Sequence, residues 1–339
     1  MSREIVDLDA FDSVAFEAWH RAYLRAQAAL GDAATPWMLE ELRAVMQHGG
    51  STAWSGGWSA VEDGVTVGAG FLRTPLLDNL ELAELDVHVD PDHQRGGVGA
   101  ALLARLEDEA RRRGRTVLTG LVGWRWDHGP LGDGAAGPLF AAAHGYSLAL
   151  TEVQRELALP VDEAVLARLA DEAALAHEGY ELRSWSGPVP DELLQGWAEL
   201  TSALATEAPT GDLELEPEAV DLGAVREREA TLARQGRTKY NTVALSPDGD
   251  VVAYSDLATT VHDPGRAYQW GTLVLREHRG HRLGVAVKAA NLRLLQRERP
   301  DVLRLTTYNA EVNSHMIAVN EALGFRPVAW LGDFQKKVS

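Results

Sequence analysis

The 339-residue chain has no cysteine, which excludes disulfides, thiolate metal ligands and any acyl relay through an enzyme thiol. It has no apolar run approaching the roughly 20 residues that a helix needs to cross a bilayer, so no membrane association is expected. The opening stretch "MSREIVDLDAFDSVAFEAWHRAY" scatters charges where a secretory leader is continuously apolar, and a cytoplasmic location is the expectation. No His-x-x-x-His pair sits in a helical pattern, and His315 has no second ligand at metal spacing, so no metal site is expected. Basic residues are in the minority: 32 Lys and Arg stand against 50 Asp and Glu, a formal net charge of −18. Nucleic-acid affinity depends on neutralising phosphates, so a nucleic-acid partner is disfavoured, and the short "RRRGR" run at 111–115 suits a helix C-terminus. A neutral or cationic small molecule fits this charge better.

What the chain does have is the composition of a globular protein, 45% hydrophobic and 24% charged, at a length that suggests two domains. "FDSVAFEAWHRAYLRAQ" and "TPWMLEELRAVMQ" carry helical patterns, the second with Thr35 as N-cap and Pro36 at the first helical position. A three-stranded meander follows to Val89, turning at Asp63-Gly64. "ELAELDVHV" alternates, placing Leu85, Val87 and Val89 on one face and Glu84, Asp86 and His88 on the other. "GAALLARLEDEARRRG" is then an amphipathic helix ended by Gly114, "TVLTGLV" a buried strand, and "GPLFAAAHGY" a short helix with Phe140 as a core aromatic. The first domain is expected to span 1–158, followed by a connecting helix or linker over 159–179.

From Tyr180 the same order begins again, with a helix from Pro190, a longer helical insertion over 214–235, and strands "TKYNTVALS", "VVAYSDLATTV" and "YQWGTLVL". "VDPDHQRGGVGAALL" aligns without gaps on "VLREHRGHRLGVAVK" at an offset of 274 − 89 = 185. A period of that size is a whole domain, so 180–339 is expected to be a second copy of the first fold.

The loop "DPDHQRGGVG" places Gly96, Gly97 and Gly99 between an alternating strand and a helix. A helix N-terminus offers unpaired N–H groups, and glycine lets an anion approach them. Through "LDVHVDPDHQRGGVGAALL", and through "LVLREHRGHRLGVAVKAANLRLL" with "NSHMIAVNEALGF" in the second half, the chain resembles the GNAT superfamily of N-acetyltransferases in a tandem arrangement. The resemblance implies an α/β (α+β) fold of two GNAT-like domains, each a mixed, mostly antiparallel sheet flanked by helices. It implies acetyl-CoA as acyl donor, with the diphosphate on the backbone of Arg95, Gly96, Gly97, Val98, Gly99 and Ala100. The pantetheine arm would pair with the strand at Val87, His88 and Val89. In the second half the matching positions are Thr272, Leu273 and Val274 and the loop Gly280, His281, Arg282, Leu283, Gly284 and Val285, with Asn313 on a later helix. Arg282 replaces the first glycine there, and either turns outward to meet a phosphate or blocks the site.

Direct acetyl transfer needs a base for the ammonium proton and a proton for the departing thiolate. Glu84, Asp86 and His88 are the candidate bases; the offset partners Gln269, Gly271 and Leu273 offer none. A tyrosine that often serves as acid in this family is replaced by Phe140 in the first half and Asn320 in the second, and Tyr308 is an alternative. Trp124, Trp126, Asp127 and His128 in "GWRWDHGP" form a candidate substrate wall, since aromatic faces receive cationic amines. The expected activity is acetylation of a small-molecule amine, with the oligomeric state open. A within-class variant puts the chemistry in the second domain, and a catalytically idle acetyl-CoA sensor or structural protein on the same fold is the alternative.

Overall fold

The computed structural model describes residues 3–338. Contacts divide the chain into two compact units: the first holds the residues up to Thr151, Gly211–Glu214 and the residues from Ala329 onward; the second holds Glu152–Thr210 and Leu215–Val328. This differs from the boundaries expected from the sequence in one consequential way, since the last strand of the chain belongs to the first unit.

In chain order the first unit contains β1 (Arg3–Asp7), α1 (Ser13–Gln27), α2 (Leu39–His48), β2 (Ala53–Glu62), β3 (Val65–Pro75), β4 (Leu82–Val89), α3 (Val98–Arg112), β5 (Val117–Arg125), α4 (Ala136–Ala143) and the start of β6 (Ser147–Ala158). Strands β1 to β4 pair antiparallel in sequence order, and β4 then pairs in parallel with β5. α1 is set by Asp12, whose carboxylate accepts from Val14 and Ala15 N–H. Its buried Phe16, Trp19 and Tyr23 cluster with Ala69 beside Phe71 on one face of the sheet. Val98, Leu102 and Leu106 of α3 are buried on the other.

α2 begins at Leu39, three residues beyond the position expected from Pro36. Glu41 Oε2 accepts from Met38 N–H at 2.9 Å and Tyr23 Oη from Trp37 N–H at 2.8 Å. These bonds take up the donors that an earlier start would have left for a Thr35 cap.

The second unit continues β6 and adds α5 (Glu163–Ala174), β7 (Glu181–Ser186), α6 (Leu194–Ser202), α7 (Leu204–Glu207), α8 (Leu222–Arg234), β8 (Arg237–Leu245), β9 (Val251–Thr260), β10 (Arg266–Val274), α9 (Leu283–Glu298), β11 (Arg304–Ala310), α10 (Ser314–Leu323) and the start of β12 (Arg326–Lys337). The helical insertion is shorter than expected: residues 214–221 are not helical, and Asp221 caps α8 by accepting from Ala224 N–H. The sheet runs β6-β11-β10-β9-β8-β7, with β10–β11 parallel and every other pair antiparallel. β9 is buried along its whole length. α9 packs on one face with Leu292 and Leu295 in the core, and α6 covers the other through Trp197 and Leu200. Each unit is thus a mixed, mostly antiparallel sheet flanked by helices.

β12 completes the first unit. From Ala329 to Lys337 it pairs antiparallel with β5, from Arg125 back to Val117. No helix among the described residues is long and apolar enough to cross a membrane.

Candidate active site

β4 and β5 pair only through Leu82 with Val117, Ala83 with Leu118 and Glu84 with Thr119. Beyond that point β4 stays bonded to β3 as far as Val89, and β5 stays bonded to β12, so their facing edges part. A cavity of about 390 Å³ opens in the gap. Asp86, Val87, His88 and Val89 form one wall, residues 119–125 the other, and Phe140, Gln94 and Leu30 close its ends.

The glycine loop lies between β4 and α3. Asp90 accepts from Asp92 N–H, Gln94 Nε2 donates to Val89 O at 3.2 Å, and Arg3 donates to Gly96 O at 2.8 Å while paired to Glu62. Gly97 takes φ 88° at the N-cap, a conformation that costs glycine little, and provides no side-chain cap. Among the described residues, the N–H groups of Val98, Gly99 and Ala100 find no acceptor in the chain; the first backbone bond runs from Ala101 to Gly97. The helix dipole adds partial positive charge at that point. Arg95 is also left-handed, at φ 61°. A Cβ on Gly99 would lie 3.1 Å from the Phe140 ring. Phe140 is half-buried and faces the cavity, which corrects its reading as a core aromatic.

The register sets Ala69 opposite His88, Phe71 opposite Asp86 and Arg73 opposite Glu84, so the three polar side chains of β4 share the α1 face of the sheet. Arg73 holds Glu84 at 2.6 Å. Asp86 has no such partner; burial and then the Glu84 charge push its carboxyl up to about 7. Asp333, brought in by β12 opposite Leu121, is raised to about 6 by the same two causes. Burial lowers His88 to about 4, leaving a neutral imidazole edge-on to Tyr23 at 4.7 Å. Three carboxylates thus gather on one sheet face, two of them poised to exchange protons near neutrality. Asp333 escaped the sequence reading because nothing local marks it and the strand that delivers it comes from the far end of the chain.

The "GWRWDHGP" segment divides. Trp124 is buried, lines the cavity and donates to Gly129 O at 2.7 Å; His128 also lines it, bonded to Asp133 O. Trp126 stacks instead on Trp330 at 4.2 Å, and Asp127 pairs with Arg125.

In the second unit the gap recurs. β10 and β11 pair from Arg266 with Arg304 to Gln269 with Thr307, then part. Arg279 Nε donates to Val274 O at 3.3 Å, the counterpart of the Gln94 bond. Arg282 occupies the left-handed N-cap at φ 53°. Its guanidinium bonds Glu172 at 3.1 Å, while His281 Nδ1 bonds the Ala176 carbonyl at 3.0 Å. Both side chains are therefore engaged by α5 and the residues after it, and the N–H groups of Leu283, Gly284 and Val285 again find no acceptor among the described residues.

Trp270 is a β-bulge, an extra residue between the Gln269–Leu257 and Gly271–Asp256 pairs. The bulge reorients Gln269, whose amide is spent on Ser255 Oγ and the Asp256 and Gly271 carbonyls. Gly271 and Leu273 supply no base. Sequence reasoning missed the ion pair between Lys239 and Asp256, which lines a 430 Å³ cavity with Trp197, Tyr254 and Trp270. Asp256 also accepts from Gly271 N–H at 2.6 Å, and Lys239 Nζ lies 4.7 Å from the centre of the Trp270 ring. Desolvation acts to lower the Lys239 amine, while the adjoining Asp256 carboxylate favours its charged form. Tyr308, Thr272 and Asn313 line a smaller cavity between β10 and β11. Asn313 caps α10, and Asn320 bonds Asn309.

Residues 16–122 match the Acetyltransferase (GNAT) family. A tandem GNAT protein from the clavulanic acid biosynthesis pathway, solved without AcCoA, is 31% identical with a TM-score of 0.79, over 99% of this chain and 98% of that one. The mycothiol acetyltransferase of Geodermatophilus obscurus is 34% identical over 154 residues, so the match spans about half of either chain, 45% of each. A GCN5-related N-acetyltransferase from Sphaerobacter thermophilus shares the fold at 16% identity, with a TM-score of 0.66 over 99% of this chain and 95% of that one. With its duplicated strand gap and duplicated loop, the chain belongs to the GNAT acetyltransferase family and carries two GNAT domains in tandem.

Proposed function

We propose that the first unit transfers an acetyl group from acetyl-CoA to the amine of a small molecule. One observation carries this reading: a single cavity runs from Asp86 to Gln94 at the foot of the loop whose N–H groups lack acceptors. The residues present fit the donor. The N–H groups of Val98, Gly99 and Ala100, with the backbone of Arg95 to Gly97, would hold its diphosphate, and the open edge of β4 at Val87 to Val89 would pair with its amide arm. A cationic amine is drawn toward Glu84, Asp86 and Asp333. Asp86, titrating near 7, takes the proton that the amine must lose. As the new C–N bond forms and the C–S bond breaks, that proton is the one the departing thiolate requires.

A second reading, an acetyl-CoA-binding protein that does no chemistry, is favoured by one observation: the positions of the family's usual acid hold Phe140 and Asn320. Calorimetry with acetyl-CoA on the wild type, Gly97→Glu and Gly284→Glu is the test. One site, lost only in Gly97→Glu, is the expected result. Loss of a second site in Gly284→Glu would assign a donor to the second unit as well, and no binding to the wild type would sink both readings. Thiol release by Asp86→Asn then separates enzyme from sensor.

A further inference from the structure

Besides the half-buried Lys239, the described residues include a fully buried lysine, and this one is without an ion-pair partner. Lys288, in the second turn of α9, is 1% exposed. No hydrogen bond or ion pair of the described residues reaches its amine, and the centre of the Phe325 ring lies 5.8 Å from it. Burial lowers the amine to about 7, and the cavity that it lines carries one acidic residue, Glu152. Position 288 − 185 = 103 is its counterpart in the first unit, where Leu103 lines the larger cavity. One helix position, facing one kind of strand gap, is therefore apolar in the first copy and cationic in the second.

Lys288 lines the cavity of about 160 Å³ between β10 and β11. The wall is part polar, through Thr307, Asn309 and Asn313, and part apolar, through Leu204, Pro209 and Met316. A buried ammonium without an ion-pair partner is costly, and leucine would fill this helix position without that cost, as it does in the first unit. We propose that this cavity is a binding site for a small carboxylate, whose oxygens accept from Lys288 Nζ and from the amides and hydroxyls around it. The size of the cavity restricts the ligand to an acid of a few carbons or to the carboxylate end of a larger molecule. This site is independent of the acyl-donor reading of the first unit, because no residue lining it also lines that unit's cavity.

Fluorine NMR on the full chain tests the proposal, with trifluoroacetate as the probe. The expected result is saturable line broadening of the probe by the wild type, displaced by acetate and propionate but not by equal concentrations of chloride or phosphate. Lys288→Leu, which installs the first unit's residue, should weaken that component at least tenfold while unfolding at the same temperature or higher. Lys288→Gln, neutral and similar in length, serves if the leucine variant does not fold. Equal broadening by a folded Lys288 variant, no saturable component in the wild type, or displacement by phosphate or chloride as readily as by acetate would each overturn the assignment.

Discussion

Replacing Asp86 with asparagine tests the chemistry and the electrostatics of the first unit together. The carboxyl titrates at about 7 in the folded chain against an ordinary 3.8. Between those values the folded state keeps a proton that the unfolded chain has released, so stability falls as pH rises from about 4 and the loss is complete above about 7. At 1.36 kcal/mol per tenfold, ionised Asp86 would cost the fold about 4 kcal/mol in a site sealed from water, and about 2 kcal/mol with water reaching the cavity. Asparagine is nearly isosteric and never ionises. The variant should gain on the wild type progressively from about pH 4 to about pH 7, then hold a constant advantage of about 2 kcal/mol. His88, held at about 4, contributes a slope of opposite sign between about pH 4 and its ordinary 6.5, where the unfolded chain binds the extra proton. That slope is common to both proteins, so it cancels in the difference. Thermal unfolding across the pH series gives the stability term, and thiol release from acetyl-CoA gives the rate. Acetyl transfer should drop by a factor of about 10² to 10⁴, and the wild-type rise in rate through neutrality should vanish. A variant whose midpoint tracks the wild type at every pH, or which retains its rate above pH 7, would refute the assignment of Asp86 as a buried base.

Glu84→Gln should move the rise in kcat/KM to lower pH, since the Glu84 charge helps to hold both Asp86 and Asp333 up; a pH–rate profile checks the direction, and an unmoved profile counts against the cluster. The lost Arg73 pair is partly exposed and should cost less than about 1 kcal/mol. Gly271→Ala places a Cβ against the ring and hydroxyl of Tyr254, which packs at 5.2 Å on Trp197. It should destabilise the second unit by about 1–3 kcal/mol. In Gly284→Ala the new methyl finds its nearest neighbour at 3.7 Å, so a denaturant melt of that variant should match the wild type.

The sequence was most informative where a feature is local and occurs twice. The offset of 185 residues places turns at 91–93 and 276–278, helix starts at Val98 and Leu283, and the Gln94 and Arg279 clamps on Val89 and Val274. The shared face of Glu84, Asp86 and His88 followed from strand alternation alone. Counting fails at Trp270, because a bulge is defined by the partner strand and reverses the faces of everything beyond it. Asp256 and Lys239 were invisible for a related reason: each lies on a strand whose pattern reads as ordinary, and only the register brings them together. The start of α2 escaped because the bonds that fix it involve Tyr23, on another helix. The fate of Arg282 also needed three dimensions, since either orientation suits the sequence and Glu172, 110 positions earlier, decides it.

β12 also bears on how the protein is made. Residues 329–337 complete the sheet beside β5, so the first unit lacks one strand throughout its synthesis, although nearly all of its other residues leave the ribosome first. Until those residues emerge, β5 presents a bare edge, the kind of surface on which nascent chains aggregate. A fragment ending near residue 158 would carry the same open edge permanently, and would also lack Asp333. The amino-terminal half therefore waits on residues 329–337, and a truncation that removes them would injure the unit encoded first.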